Sequence, residues 1–232
     1  MSQQPEPPKR PGTNPPPVYL LTSAAGTMIS RMIRFGTAAK HGHLTIAVQE
    51  RGELRLYSFA RRRWSTPLDG AFVEEGRDRY TFEGGKVTSV ALYALPPERQ
   101  AAVLARLKRF RPLMEGCLYN LPDAVANAVR IRVASRRAFT CVGFCSFILD
   151  VHRLPGVVQL ADVVRAAGAR KVFEGDVEGL ERFLGVPVWE GDSAFYSLRL
   201  PKRRAVAKIV ASQARALSWI LAERLAGRAP RR

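Results

Sequence analysis

A cysteine, Cys141, stands third in the run FTCVGFCSFILDV, a place where a thiol can be made reactive. The nucleophile is the thiolate, and the positive end of a helix together with a neighbouring imidazolium lowers a thiol pKa from its usual value of about 8.5. Cys141, Phe144, Cys145, Ile148 and Leu149 recur at i, i+3, i+4, i+7 and i+8, which predicts one apolar helix face with Cys141 in the first turn and Thr140 as the cap. A base must come from His41, His43 or His152. His152 follows Cys141 by eleven residues, about 16 Å along a continued helix, so it is out of reach. His41 and His43 share a face if the strand starts early enough. His43 opens the regular run HLTIAV, whereas His41 precedes Gly42 in a loop, and His43 is the favoured base. Such a pair would attack an amide or ester carbonyl and pass through an acyl-enzyme, with the oxyanion held by N–H groups at the head of the cysteine helix. Cys117 and Cys145 read as packed core thiols. The histidines and cysteines form no spaced ligand set, so neither metal nor cofactor is expected.

The elements that must position this pair are legible in the hydrophobic periodicity. VYLL from Val18 reads as a buried strand, and Thr27 to Phe35 as a helix closed by Gly36. HLTIAV and LRLYSF, separated by QERGE, predict a hairpin, and VTSVALYAL a further strand. PPERQAAVLARLKRF predicts a helix with Pro in its first turn and Val103, Leu104, Leu107 and Phe110 on one stripe. Shorter helices are expected around 123–129 and 160–167, while VFEGD at Val172 and VWEGD at Val188 read as turn chemistry around Gly175 and Gly191. The segment from Arg203 to Leu225 predicts a long amphipathic helix docked through Val206, Ile209, Val210, Leu217, Ile220 and Leu221.

Seven prolines in the first seventeen residues predict an extended or disordered arm, 1–17. No long apolar segment marks an export signal or a membrane span, and three cysteines make no disulfide framework, so a soluble cytoplasmic protein is expected. Nine basic residues and one acidic residue fall in 200–232, about half of the net charge of +17. This predicts a solvated face or a weak contact with an anionic surface rather than a dedicated nucleic-acid site.

The order of these segments resembles the circularly permuted papain-like families related to NlpC-type cell-wall peptidases, in which the histidine strand precedes the cysteine helix. GTMISRMIRFGTAAKHGHLTIAV is similar to the family's helix, loop and histidine strand. LYSFARR followed by AFVEEG resembles a YSFGRK and GFVEE continuation, LYNL a recurring tyrosine–asparagine segment, and FTCVGFCSFIL the cysteine helix. The resemblance spans Val18 to Leu149 and implies an α+β fold, an antiparallel sheet packed against the cysteine helix, over 18–199, followed by a basic helix over 200–232. It implies a cysteine peptidase, amidase or esterase with Cys141 as nucleophile, His43 as general base and a polar residue on the next strand, near Ser58, orienting the imidazole. Val142, where relatives carry a small polar residue, and the second thiol Cys145 depart from the pattern. The contrasting expectation is an inactive binding module of the same fold that uses its basic surface for anionic lipid or nucleic acid.

Overall fold

Alternating residues in the histidine segment do form a strand, and that strand belongs to a sheet with two buried faces. The computed structural model describes residues 16–25, 40–61, 70–81, 87–114, 116–127, 130–191 and 202–227. The expected arm, the helix Thr27 to Phe35 and its cap Gly36 lie outside the described residues, apart from Pro16 and Pro17 of the arm. In chain order the elements are β1 (Val18–Ala25), β2 (His43–Glu50), β3 (Glu53–Arg61), β4 (Gly70–Glu75), α1 (Asp78–Thr81), β5 (Val87–Ala94), α2 (Pro97–Met114), β6 (Leu118–Tyr119), α3 (Leu121–Ala126), β7 (Ala138–Phe139), α4 (Cys141–Ile148), α5 (Leu160–Ala166), β8 (Arg170–Gly175), α6 (Val177–Leu184) and α7 (Lys202–Leu225). The class is α+β. Six strands in the order β4-β3-β2-β1-β5-β8 pair antiparallel throughout, and β6 and β7 make a small parallel ribbon.

Turn chemistry sets the register of the central hairpin. Arg51 (φ 55°) and Gly52 (φ 78°) both take positive φ between the paired residues Glu50 and Glu53, a two-residue turn whose twist matches that of the strands. Period-two alternation then sorts the side chains. Leu44, Ile46, Val48, Tyr57 and Phe59 face one layer with Val103 and Leu107 of α2 and Phe144, Cys145 and Ile148 of α4. Leu21, Ala47, Leu54, Leu56, Val90 and Leu92 face the other, with Tyr80 of α1 and Val177 and Leu180 of α6. The sheet is thus sandwiched between helical layers, and Phe144, fully buried, meets Phe72 of β4 edge to face at 5.6 Å.

The near-copies VFEGD and VWEGD adopt different structures. The first is the end of β8, with Asp176 capping α6 through the Gly179 N–H at 2.7 Å; the second bridges to Leu54 through Val188 and runs on to Gly191 at φ 100°. α7 corrects the expected docking face in part, since of the six expected residues Ile220 is buried and Ile209 half-buried. Ala205, Ser212, Ala216 and Ile220 are buried against the body, whereas Val206, Val210, Leu217 and Leu221 are exposed. α7 packs across the β6–β7 ribbon, where Gln213 donates to the Tyr119 carbonyl (3.3 Å) and the Arg136 N–H donates to Glu223 (3.0 Å). The buried row is small at 205, 212 and 216 and aliphatic at 220.

Candidate functional site

The head of α4 is fixed before any chemistry is considered. Thr140 (φ −93°, ψ 171°) is the N-cap, its hydroxyl accepting the Gly143 N–H at 2.9 Å and donating to Asp123 at 3.1 Å. Asp123 is buried, and its other oxygen accepts the Val133 N–H at 2.8 Å. Asn120 in turn caps α3 through the Asp123 N–H and donates to the Val133 carbonyl at 2.7 Å. The tyrosine–asparagine segment therefore acts on the cysteine helix at one remove, through Asp123 and Thr140. Space at Gly143 is limited, since a Cβ there would lie 3.1 Å from the Thr140 hydroxyl. Thr140→Ala is expected to cost about 1–2 kcal/mol, read as a lowered urea midpoint with unchanged slope.

Cys141 is half-buried at the first position of this helix. Its sulfur hydrogen-bonds to the His43 ring and faces the N–H groups of Leu44 and Val142. Burial alone would raise the Cys141 pKa; the charge and hydrogen bond of His43, with those two N–H groups, outweigh it and lower the thiol pKa. Cys145, one turn on, is fully buried and donates to the Leu44 carbonyl at 3.5 Å; burial, then the Cys141 and Glu75 charges, push its pKa well up. Cys117 is raised to about 11, chiefly by burial. One thiol of the three is therefore set toward its anion.

His43 opens β2 with its side chain 27% exposed, and its Nε2 lies 2.9 Å from Glu75 Oε1. Burial would lower the His43 pKa, but the Glu75 carboxylate and the Cys141 sulfur overcome this and push it up to about 10. Glu75, at the end of β4, is itself buried and accepts four hydrogen bonds. They come from His43, from Ser58 (2.7 Å) on Oε1, and from Tyr80 (2.7 Å) and Thr45 (3.3 Å) on Oε2. Burial would raise its pKa; the His43 charge and hydrogen bond, with Arg79 and Ser58, hold it far below the usual carboxylate range.

The placement of Ser58 corrects its expected role. It is fully buried on β3 and donates to the carboxylate, while the group bonded to the imidazole is Glu75 on the next strand out. Physically the carboxylate is the better partner for an imidazolium, because it brings a full opposite charge. Glu75 was the residue missed. Its strand segment AFVEEG stands in the sequence beside Glu74, and only alternation separates them: Glu74 pairs with Arg55 (2.6 Å) and Arg111 (3.1 Å). The backbone behind Glu75 is tightly held, since a Cβ on Gly76 would lie 2.1 Å from Gly191 Cα and the Arg77 N–H donates to the Trp189 carbonyl at 2.7 Å.

The other histidines lie elsewhere. His41 is buried, with Nδ1 2.9 Å from the Thr22 hydroxyl and Nε2 2.9 Å from that of Ser89, both ring nitrogens engaged in packing the β1 end. His152 lies against the Phe147 ring and 3.8 Å from Asp150. Tyr119 of the LYNL segment closes on Gly70 so tightly that a Cβ there would approach its ring to 2.8 Å, and burial followed by the Cys141 charge raises its phenol pKa. Among the described residues no group of three or more His, Cys, Asp or Glu could hold a metal ion. The arrangement is a cysteine–histidine–glutamate line with a buried carboxylate at its far end. No protein-family model matches the chain, and no curated protein matches it.

Proposed function

We propose that the protein is a cysteine hydrolase of the circularly permuted papain-like kind, acting on an amide or ester through Cys141, His43 and Glu75. The observation that carries this reading is the Cys141 thiol at a helix head, bonded to an imidazole whose Nε2 is held 2.9 Å from a buried carboxylate. The strand bearing the histidine precedes the helix bearing the cysteine, the order of the permuted families. In the reaction the Cys141 thiolate adds to the carbonyl carbon, and the oxyanion so formed is held by N–H groups at the head of α4. Protonated His43 gives its proton to the leaving nitrogen or oxygen, the carbon–heteroatom bond breaks, and a thioester remains. Water then attacks the thioester while His43 takes its proton, releasing the acid and restoring the thiolate. Glu75 touches neither substrate nor sulfur; it positions the ring and stabilises the imidazolium.

Alkylation of the full chain by iodoacetamide, followed by peptide mass spectrometry across pH, tests the reading. Cys141 is expected to react at pH 6 at least about tenfold faster than a thiol of ordinary pKa, which is almost wholly protonated there. Cys117 and Cys145 are expected to stay unmodified in the folded protein. A Cys141 that gains reactivity only above pH 8 would remove the hydrolase reading and leave the inactive binding module.

A further inference from the structure

The outer face of α7 is apolar and has no partner among the described residues. Val206, Val210, Leu217 and Leu221 fall at i, i+4, i+11 and i+15, one side of a 3.6-residue helix, and are 60%, 61%, 46% and 58% exposed; Leu225 continues the row at 90%. The neighbouring face, about a third of a turn round, is the one that docks, through Ala205, Ser212, Ala216 and Ile220. This is therefore an apolar stripe about four turns long, presented outward by a helix that is anchored along the adjoining face.

Charge says what fits it. Arg203 and Arg224 lie on the face of the stripe and bracket its two ends, while Arg204, Lys208 and Arg215 share the far side of the helix, so the polar face of α7 is basic, and all five are exposed. The single carboxylate of α7, Glu223, is turned inward to the Arg136 N–H. Beyond the helix, Arg224 shares the lining of a cavity of about 790 Å³ with Arg136, Arg153 and the exposed Leu113, so the basic and apolar character continues onto the body. No helix of the described residues is long and apolar enough to cross a membrane. We infer that α7 docks in the plane of an anionic lipid surface, its leucines and valines entering the headgroup–acyl boundary while Arg203 and Arg224 at the ends of the stripe meet lipid phosphates. Arg203 and Arg224 suit this, because their long stems can cover the apolar ends of the stripe while their heads reach the phosphates.

A cationic groove for soluble polyanions or a self-association face would use only part of this pattern, the first ignoring the leucines and the second the arginines. The full chain is sedimented with vesicles of phosphatidylcholine alone and of phosphatidylcholine mixed with phosphatidylglycerol. Binding to the mixed vesicles is expected to be at least about tenfold tighter and to weaken as salt is raised. Leu217→Gln with Leu221→Gln, two exposed positions that leave the docked face intact, is expected to weaken it by about tenfold or more, with an unchanged melting curve. Arg203→Glu with Arg224→Glu is expected to remove the preference for anionic vesicles. Cys141→Ala is expected to bind as the unaltered chain does, so this inference stands or falls apart from the hydrolase reading. Equal binding to neutral vesicles, or none to either, overturns it. So does concentration-dependent dimerisation abolished by the leucine pair without vesicle binding, and so does capture of a short oligonucleotide that the leucine pair leaves untouched.

Discussion

Cys141→Ala is expected to abolish thiol-dependent turnover and iodoacetamide labelling at pH 6 while leaving the fold intact, and Cys145→Ala to do the reverse. The contrast follows from position. Cys141 is half-buried at the helix head with its sulfur toward His43, so losing it removes the covalent step but only a small packing contribution, about 1 kcal/mol or less. Cys145 is wholly enclosed beside Phe144 and Ile148 and has its thiol raised well above the ordinary value, so its replacement empties space in the core, at about 1–2 kcal/mol, and spares the reaction. His43→Ala is expected to lower turnover by about 10²- to 10⁴-fold, the contribution of a positioned proton-transfer group, and to raise the pH at which Cys141 labels. Labelling by mass spectrometry and urea unfolding of the same variants decide the matter: label and turnover that survive Cys141→Ala and vanish in Cys145→Ala would mean the reactive thiol had been misassigned.

Much of this framework was legible because it is periodic. The alternation of HLTIAV, LRLYSF and VTSVALYAL gives β2, β3 and β5, and the i, i+3, i+4 pattern from Cys141 gives α4 with its Thr140 cap. What was not legible depends on pairing between distant segments. Glu75 reaches His43 only because β4 lies on β3, with Leu56 opposite Glu75, and no local pattern tells which of two adjacent glutamates turns inward. The AFVEEG segment within the family resemblance was the available signal, and it pointed past Ser58. α7 misled for a different reason. Its sequence carries two possible contact rows, one of large aliphatic residues and one of small ones, and hydrophobicity ranks the large row first. The short β6–β7 ribbon accepts the row of Ala205, Ser212, Ala216 and Ile220, a choice of helix rotation that hydropathy does not encode. His41 and His43, two apart, were separated by their environments: Thr22 and Ser89 for one, Glu75 and Cys141 for the other.

Glu75→Gln is expected to cost about 3 kcal/mol at pH 6 and to reshape both pH limbs of the protein's behaviour. The wild-type carboxylate is 4% exposed and satisfies His43, Ser58, Tyr80 and Thr45 at once. An amide keeps the volume, but it removes the charge and turns an N–H₂ group toward one pair of donors, leaving buried hydroxyls or the ring without an acceptor. Linkage fixes the direction of each limb. The folded pKa of Glu75 lies below its ordinary 4.5, so its contribution is complete above pH 4.5 and is lost as pH falls below that value. That of His43 is raised from 6.5 to about 10, so its contribution is complete below pH 6.5 and is lost as pH rises toward 10. Urea midpoints measured across pH should therefore peak between about 4.5 and 6.5 in the unaltered protein and flatten on both sides in Glu75→Gln. Turnover should narrow from the alkaline side, because an imidazolium without its carboxylate gives up its proton at lower pH, whereas the acidic limb, set by Cys141 beside the same imidazolium, should move less. Since Glu75 acts through His43, Glu75→Asp, which restores the charge on a shorter stem, should recover part of the alkaline limb although it recovers little of the packing. A Glu75→Gln protein with unchanged midpoints at pH 6 and an unchanged alkaline limb would separate the carboxylate from the pair and reduce it to a structural hub for Ser58, Tyr80 and Thr45.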